Sequence, residues 1–173
     1  MSCVFISHNH YDHLDTHTIK TLESLHKPHF FAPLGNDTYF KDLGIPKDRI
    51  HCLDWWDRRD ITVDLPVTGG DSTMKATFAA TCTPCQHFTG RGILDRFASL
   101  WSSWVIEDMP SYDAATPSTT ETGNGGVKLW FAGDTGYRSV ENGDNEDEVP
   151  VCPEFKNIGN KFGSFDLAFI PIG

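Results

Sequence analysis

The sequence predicts an α/β fold, because segments with helical periodicity alternate with short apolar runs before a series of consecutive strand-like segments. A chain of 173 residues fits one domain, which we assign to residues 1–173. Apolar residues make up 39% of the chain and include twelve Phe and five Trp. This supply of apolar side chains is sufficient for a core and argues against a disordered protein.

Helices and strands alternate in the first third of the chain. The apolar run at 3–6 predicts a buried strand, and Asp15 is placed to cap a helix over 16–26, whose apolar residues recur at helical spacing. The pattern continues with a strand at 29–32, a helix at 36–43 followed by Gly44, and a strand at 49–53.

The remaining two thirds are rich in predicted strands. Four strand-like segments lie at 74–81, 103–107, 128–132 and 166–172. The small, polar, Gly/Pro-containing tract at 113–126 predicts a flexible insert across a hairpin. Residues 141–148 hold five acidic side chains in eight positions, which indicates a solvated acidic loop.

Charge and cysteine usage restrict the classes of partner. A formal net charge of -10 provides no basic surface for a phosphate backbone, so we expect no nucleic-acid partner. Five scattered cysteines suit free thiols in a reducing, intracellular compartment, either cytoplasmic or peripherally membrane-associated. No apolar run approaches the roughly 20 residues that span a bilayer, so any membrane contact is expected to be peripheral. Composition leaves the oligomeric state open.

The strongest motif is a histidine-rich run directly after the first predicted strand. It places His8, His10, Asp12 and His13 within six residues. In an extended loop, residues two apart project to the same side, so His8 and His10 can bind one metal ion. Asp12 and His13 follow at once and can turn toward a second ion nearby. Imidazole and carboxylate groups with an open coordination position are typical of catalytic zinc sites.

Two later residues stand at the ends of predicted strands and could complete such a site. His87 follows the strand at 74–81, and Asp134 ends the apolar strand at 128–132, between two glycines. The glycines permit a tight turn that lets the carboxylate project from the strand end, where it could bridge two ions. Taken alone, the Gly-Asp-Thr-Gly sequence is equally compatible with a simple turn.

Together these motifs resemble the metallo-β-lactamase superfamily, and within it the phospholipases D that hydrolyse N-acyl-phosphatidylethanolamine. The resemblance lies in four segments, at residues 6–15, 83–104, 131–137 and 166–173. It implies an αβ/βα sandwich with a dinuclear zinc centre at one edge. It also implies a phospholipid substrate, cleaved at its phosphodiester to an N-acylethanolamine and phosphatidic acid.

The resemblance assigns the metal ligands residue by residue. It implies that His8, His10 and His87 hold the first Zn²⁺, that Asp12 and His13 hold the second, and that Asp134 bridges both. Asp12 and Asp134 are the implied catalytic carboxylates.

The sequence departs from the family pattern at both ends. The family uses one more histidine after the segment that matches 166–173, and it has further strands before the first motif, whereas this chain has no histidine after His87. We therefore expect a partial sandwich, truncated at both ends, with a weaker second zinc site. Two alternatives stay open: another hydrolase of this fold (a lactonase or an RNA-processing nuclease), or an inactive fragment that binds metal.

Overall fold

The first sheet is parallel, because a helical crossover follows each of its first two strands. The computed structural model describes residues 2–66, 73–109 and 126–172. Three strands pair in the order β1-β2-β3. Their bounds are β1 Cys3–Phe5, β2 His29–Pro33 and β3 Ile50–Leu53, and the connecting helices are α1 Thr16–His26 and α2 Asp37–Asp42. A short 3-10 helix, Lys47–Arg49, leads into β3.

The second sheet has five strands in the order β4-β5-β6-β7-β8. Its strands are β4 Arg58–Pro66, β5 Thr73–Thr83, β6 Ser103–Met109, β7 Lys128–Phe131 and β8 Leu167–Phe169. Strands β4 to β7 pair antiparallel to their neighbours, whereas β8 pairs parallel to β7 after helix α3 Glu154–Phe162. Strands β5 and β7 therefore run in the same direction and end at the same edge of the sheet.

Alternation of side chains divides the core into layers. Phe30 faces α1 and α2 in one apolar cluster, while its neighbour Phe31 faces the second sheet and shares a cluster with Trp104. On the other sheet, Val105 packs under α3. This helix–sheet–sheet–helix order is an αβ/βα sandwich, consistent with a partial metallo-β-lactamase fold, and it confirms the predicted fold class.

Several predicted bounds match the structure closely. Helix α1 spans Thr16–His26 as predicted, and the Asp15 carboxylate accepts a hydrogen bond of 2.7 Å from the backbone N–H of Thr18. Helix α2 is one residue shorter at each end than predicted, and Gly44 follows its C-cap with φ +82°.

Two elements were not predicted from the sequence. Strand β4 begins with charged residues, and only its second half shows the apolar alternation of Ile61 and Val63, both buried. Helix α3 contains Gly159 and two asparagines, which lower intrinsic helix propensity. Burial of its apolar face on the second sheet stabilises the helix despite that composition.

The two loops singled out by composition differ in how much the structure describes. The predicted insert at 113–126 lies, apart from its last residue, outside the described residues. The acidic segment 141–148 is exposed throughout and ends in a 3-10 turn at Glu146–Glu148. No helix in the described ranges combines the length and apolar character needed to cross a bilayer.

Candidate metal centre

Three strand ends meet at one edge of the sandwich and carry the predicted site residues. The loop after β1 carries His8 to His13, the loop after β5 carries His87, and the turn after β7 carries Asp134. The two sheets are joined here by a hydrogen bond of 2.8 Å from the backbone N–H of Ser102 to the carbonyl of Ser7. Segments far apart in sequence thus become neighbours.

The imidazole nitrogens of His8, His10 and His87 form a small triangle. His8 Nε2 lies 2.9 Å from His10 Nδ1, and His87 Nε2 lies 3.2 Å from the former and 3.3 Å from the latter. Nitrogen ligands bonded at about 2.0–2.1 Å to a tetrahedral Zn²⁺ lie about 3.3–3.4 Å apart. The triangle therefore fits one face of a zinc coordination sphere, with its fourth position open.

Hydrogen bonding alone does not account for this triangle. Each nitrogen of a neutral imidazole carries either one N–H or one lone pair. Among three such nitrogens, at least two carry the same group, either an N–H or a lone pair. In at least one pair, therefore, two lone pairs or two N–H groups face each other and repel. A cation that accepts all three lone pairs removes this repulsion, so the donor set suits a metal ion.

Burial keeps the central histidine neutral and oriented. His8 is 1% exposed, and burial, reinforced by His13, His87 and His10, lowers its pKa to about 3. Its Nδ1 lies 3.0 Å from the Ser7 hydroxyl, which leaves Nε2 to face the triangle. Burial, with the neighbouring His10 second, also lowers the pKa of His87. Neutral imidazoles with a fixed ring orientation are the form that binds zinc.

A second group of possible ligands adjoins the first. His13 Nε2 lies 3.1 Å from Asp134 Oδ2, and both share a potential metal-binding group with His8. The same Asp134 oxygen lies 4.0 Å from His87 Nε2, so this carboxylate stands between the two groups. Asp12 Oδ2 is 3.4 Å from His13 Nε2, but the Asp12 side chain is 79% exposed. Asp12 therefore lies at the rim, on the solvent side of the cluster.

Several supporting contacts had no signal in the sequence. Asn9 is buried and lies between His8 and His10 in the sequence, and its side-chain oxygen accepts a 2.8 Å hydrogen bond from the backbone N–H of Gly90. Arg91 Nη1 donates to the carbonyls of Asn9 (3.0 Å) and Leu14 (2.8 Å), which bracket the His10–His13 turn. Asn9 and Arg91 thus tie the loop after β1 to the loop after β5.

We expect Arg91→Lys to weaken zinc binding about tenfold, the low end of the range for groups that orient metal ligands. A lysine ammonium lacks the planar guanidinium that lies over the Tyr11 ring at 4.2 Å while it bonds two carbonyls. Competition with a fluorescent chelator measures the affinity. Arg96→Lys is the matched control, because Arg96 is exposed on the same loop and lies over the rings of Phe88 and Phe97. Equal affinities of the two variants would contradict the orienting role of Arg91.

The nearby cysteines belong to neither of the potential metal-binding groups among the described residues. Cys82 and Cys85 are buried free thiols, and burial raises the pKa of each to about 12. Cys85 instead directs its Sγ toward the carbonyl oxygen of Asp134 at 3.8 Å. Their contribution is packing behind the strand ends.

Comparison with known proteins places this chain among relatives of much greater length. A family model described as "Beta-lactamase superfamily domain" matches residues 1–173. An uncharacterized protein of Mycobacterium tuberculosis is 32% identical over 173 residues, which cover 100% of this chain and 34% of that protein.

Two further relatives carry enzyme names. N-acyl-phosphatidylethanolamine-hydrolyzing phospholipase D 1 of Caenorhabditis elegans is 33% identical over 172 residues, covering 97% of this chain and 37% of the relative. The mitochondrial N-acyl-phosphatidylethanolamine-hydrolyzing phospholipase D of Saccharomyces cerevisiae is 28% identical over 171 residues, which cover 98% of this chain and 28% of that relative. The chain therefore spans about a third of the length of the curated relatives it matches.

Proposed function

The chain belongs to the beta-lactamase superfamily, and on that premise we propose that it acts as a zinc-dependent phosphodiesterase on N-acyl-phosphatidylethanolamine. The products of that reaction are an N-acylethanolamine and phosphatidic acid. One observation carries the proposal: the nitrogen triangle of His8, His10 and His87 adjoins the His13–Asp134 pair. That arrangement supports two neighbouring ions rather than one.

All of the site residues would hold ions, and the two carboxylates would in addition orient the water and take up its proton. His8, His10 and His87 would hold the first Zn²⁺, and Asp12 and His13 the second, with Asp134 shared between them. When bound, the ions supply Lewis-acid chemistry, since they lower the pKa of water toward neutrality and offset charge on phosphoryl oxygens. The Asp134 carboxylate would orient the attacking water, and the exposed Asp12 carboxylate is placed to take up its proton at the rim.

A lipid substrate is supported by the surface beside the site as well as by the names of two relatives. The loop at 90–99 continues directly from His87 and exposes Ile93 and Leu94, which are 97% and 100% accessible. The Asp95 carboxylate holds this loop by accepting backbone N–H groups of Arg91 (2.8 Å) and Gly92 (2.7 Å). Exposed aliphatic side chains on a constrained loop favour peripheral contact with a phospholipid surface.

Metal content and turnover of matched histidine variants test the proposal. We expect the wild-type chain to bind zinc and to hydrolyse N-acyl-phosphatidylethanolamine dispersed in detergent. His10→Ala should lose the first ion and all turnover, because two nitrogens remain where the triangle had three. His26→Ala is the control, since His26 is exposed at the end of α1. Elemental analysis and product detection by mass spectrometry give the two readouts.

Parallel substrates separate the proposed reaction from other reactions of the superfamily. A lactone and a tRNA precursor are assayed beside the phospholipid under the same conditions. Turnover of either without phospholipid cleavage would reject the lipid substrate but keep the hydrolase. Unchanged zinc content in His10→Ala would reject the metal centre itself. Zinc binding with no turnover of any substrate would identify a metal-binding segment rather than an enzyme.

A further inference from the structure

A second concavity, with a largely apolar lining and a few polar groups, lies on the side of the sandwich, between strands β2 and β3 of the first sheet and strand β4 of the second. This side cavity has a volume of about 180 Å³ and is lined by His29, Phe31 and His51 of the first sheet and by Arg59–Thr62 of β4. It shares no lining residue with the metal centre. Strands β3 and β4 are each the last strand of their sheet, so no further described strand closes the gap between them.

The floor of the side cavity is aromatic and ordered. The Phe31 ring is 2% exposed and lies between Phe5, at a centroid distance of 4.9 Å, and His51, at 4.5 Å, with both partners stacked on it. Ile61 is buried beside them. The imidazole of His51 is therefore held in one plane by packing.

The two histidines of the side cavity form an in-line pair. His29 Nδ1 lies 2.9 Å from His51 Nε2, the ring planes differ by 10°, and the centroids are 5.2 Å apart. The distance between the ring centroids equals the nitrogen–nitrogen distance plus the radius of each of the two rings. The two rings therefore lie end to end in nearly the same plane. One nitrogen donates and the other accepts. The ring that accepts this hydrogen bond carries its own N–H on its other nitrogen, which points away from the pair. One N–H is therefore left free, whichever of the two rings is the acceptor.

Positive charge at the side cavity comes from one guanidinium. Among the described residues no carboxylate lies within ion-pairing distance of Arg59, which instead donates a 3.4 Å hydrogen bond to the carbonyl of Arg58. The carboxylate of Asp60, the residue after Arg59, forms an ion pair of 3.0 Å with Arg58, the residue before it. Burial, then His29 and then Arg59, lowers the pKa of His51, whereas the Asp48 carboxylate opposes this shift.

We propose that the side cavity binds a small oxyanion, a phosphate or a carboxylate, between the Arg59 guanidinium and the free N–H of the His29–His51 pair. The guanidinium supplies two parallel donors and the charge, and the imidazole supplies one further donor. The aromatic floor excludes water from one side of the ligand, which strengthens these charge-assisted bonds. The inference is independent of the proposed hydrolytic function, because it involves none of the metal ligands.

Nuclear magnetic resonance of the histidine side chains tests the proposal directly. The full chain is labelled with nitrogen-15 and titrated separately with inorganic phosphate and with acetate. We expect a saturable shift of the His29 and His51 resonances, with the pKa of His51 rising when the anion is bound. Tighter binding of phosphate or of acetate identifies which of the two oxyanion classes the cavity prefers.

Arginine substitutions separate the proposed site from general ionic effects. Arg59→Gln should weaken the affinity at least about tenfold, since it removes the charged, bidentate donor. Arg96→Gln should leave it unchanged, because it removes the same charge from an exposed residue outside the cavity lining. Arg59→Lys keeps the charge and should give an intermediate affinity. No saturable shift with either anion, or equal affinity in Arg59→Gln and wild type, would overturn the proposal.

Discussion

Gly133→Ala should lower the free energy of unfolding by about 2–5 kcal/mol, the sum expected for a left-handed backbone and an overpacked contact. Gly133 has φ +63°, and an added Cβ would lie 2.5 Å from the Cβ of Ser7 and 3.2 Å from the carbonyl oxygen of Ser102. A Cβ cannot move away by changing rotamer. The backbone after β1 must shift instead, and that backbone carries His8 as well as Ser7.

The damage from Gly133→Ala should therefore extend to the candidate metal centre. Asp134 follows the substituted residue directly, and Ser7 bonds His8 Nδ1 at 3.0 Å, so groups on both sides of the site are displaced. Urea denaturation measures the stability, and chelator competition measures the zinc affinity, which we expect to fall together.

Gly44→Ala is the matched control, because it measures the cost of a left-handed backbone conformation without a steric contact. Gly44 has φ +82°, and a Cβ added there would meet no heavy atom within 4 Å, so its alanine variant should lose only about 1–2 kcal/mol and keep its zinc affinity. Equal losses of stability in the two variants would show that the contact with Ser7 carries no cost.

Trp104→Ala should lower the free energy of unfolding by about 3–5 kcal/mol, the range for deletion of a large buried aromatic side chain. Trp104 is 0% exposed between the two sheets, with its ring centroid 5.4 Å from that of Phe5. Its indole N–H also donates a 2.9 Å hydrogen bond to the carbonyl of Ile6, immediately before the loop that carries His8, His10 and His13. The side chain thus joins the sheets and positions that loop.

Trp104→Phe separates the two contributions of the indole. Phenylalanine keeps most of the apolar contact but leaves the Ile6 carbonyl without its donor, which should cost about 1–3 kcal/mol. Urea denaturation of both variants gives the comparison. A phenylalanine variant as stable as wild type would assign the whole effect to packing, and an alanine variant within about 1 kcal/mol of wild type would contradict the expected cavity cost.

Local patterns in the sequence were sufficient for the elements whose ends are marked by single residues. Helix α1 begins after Asp15, whose carboxylate caps it, and α2 ends before Gly44, whose positive φ ends it. These signals act within one turn of chain, so they need no tertiary partner. The spacing of His8 and His10 is equally local, because alternate residues of an extended segment face one side.

Elements that depend on burial were beyond local patterns. Strand β4 pairs along its whole length with β5, and α3 gains its stability from the face it buries against Val105 and Trp130. In both cases the intrinsic preference of the segment is weak and tertiary packing decides the outcome.

The sequence by itself determined the α/β class, the capped helices and the identity of the residues that could bind zinc. Only the tertiary structure decided that His87, 79 residues from His8, completes a nitrogen triangle and that Asp134 meets His13. It also decided the supporting roles of Asn9 and Arg91 and the pairing of His29 with His51. The physical reason is that ligand chemistry belongs to side chains, whereas distances of about 3 Å between remote groups arise only when strands of two sheets end at one edge.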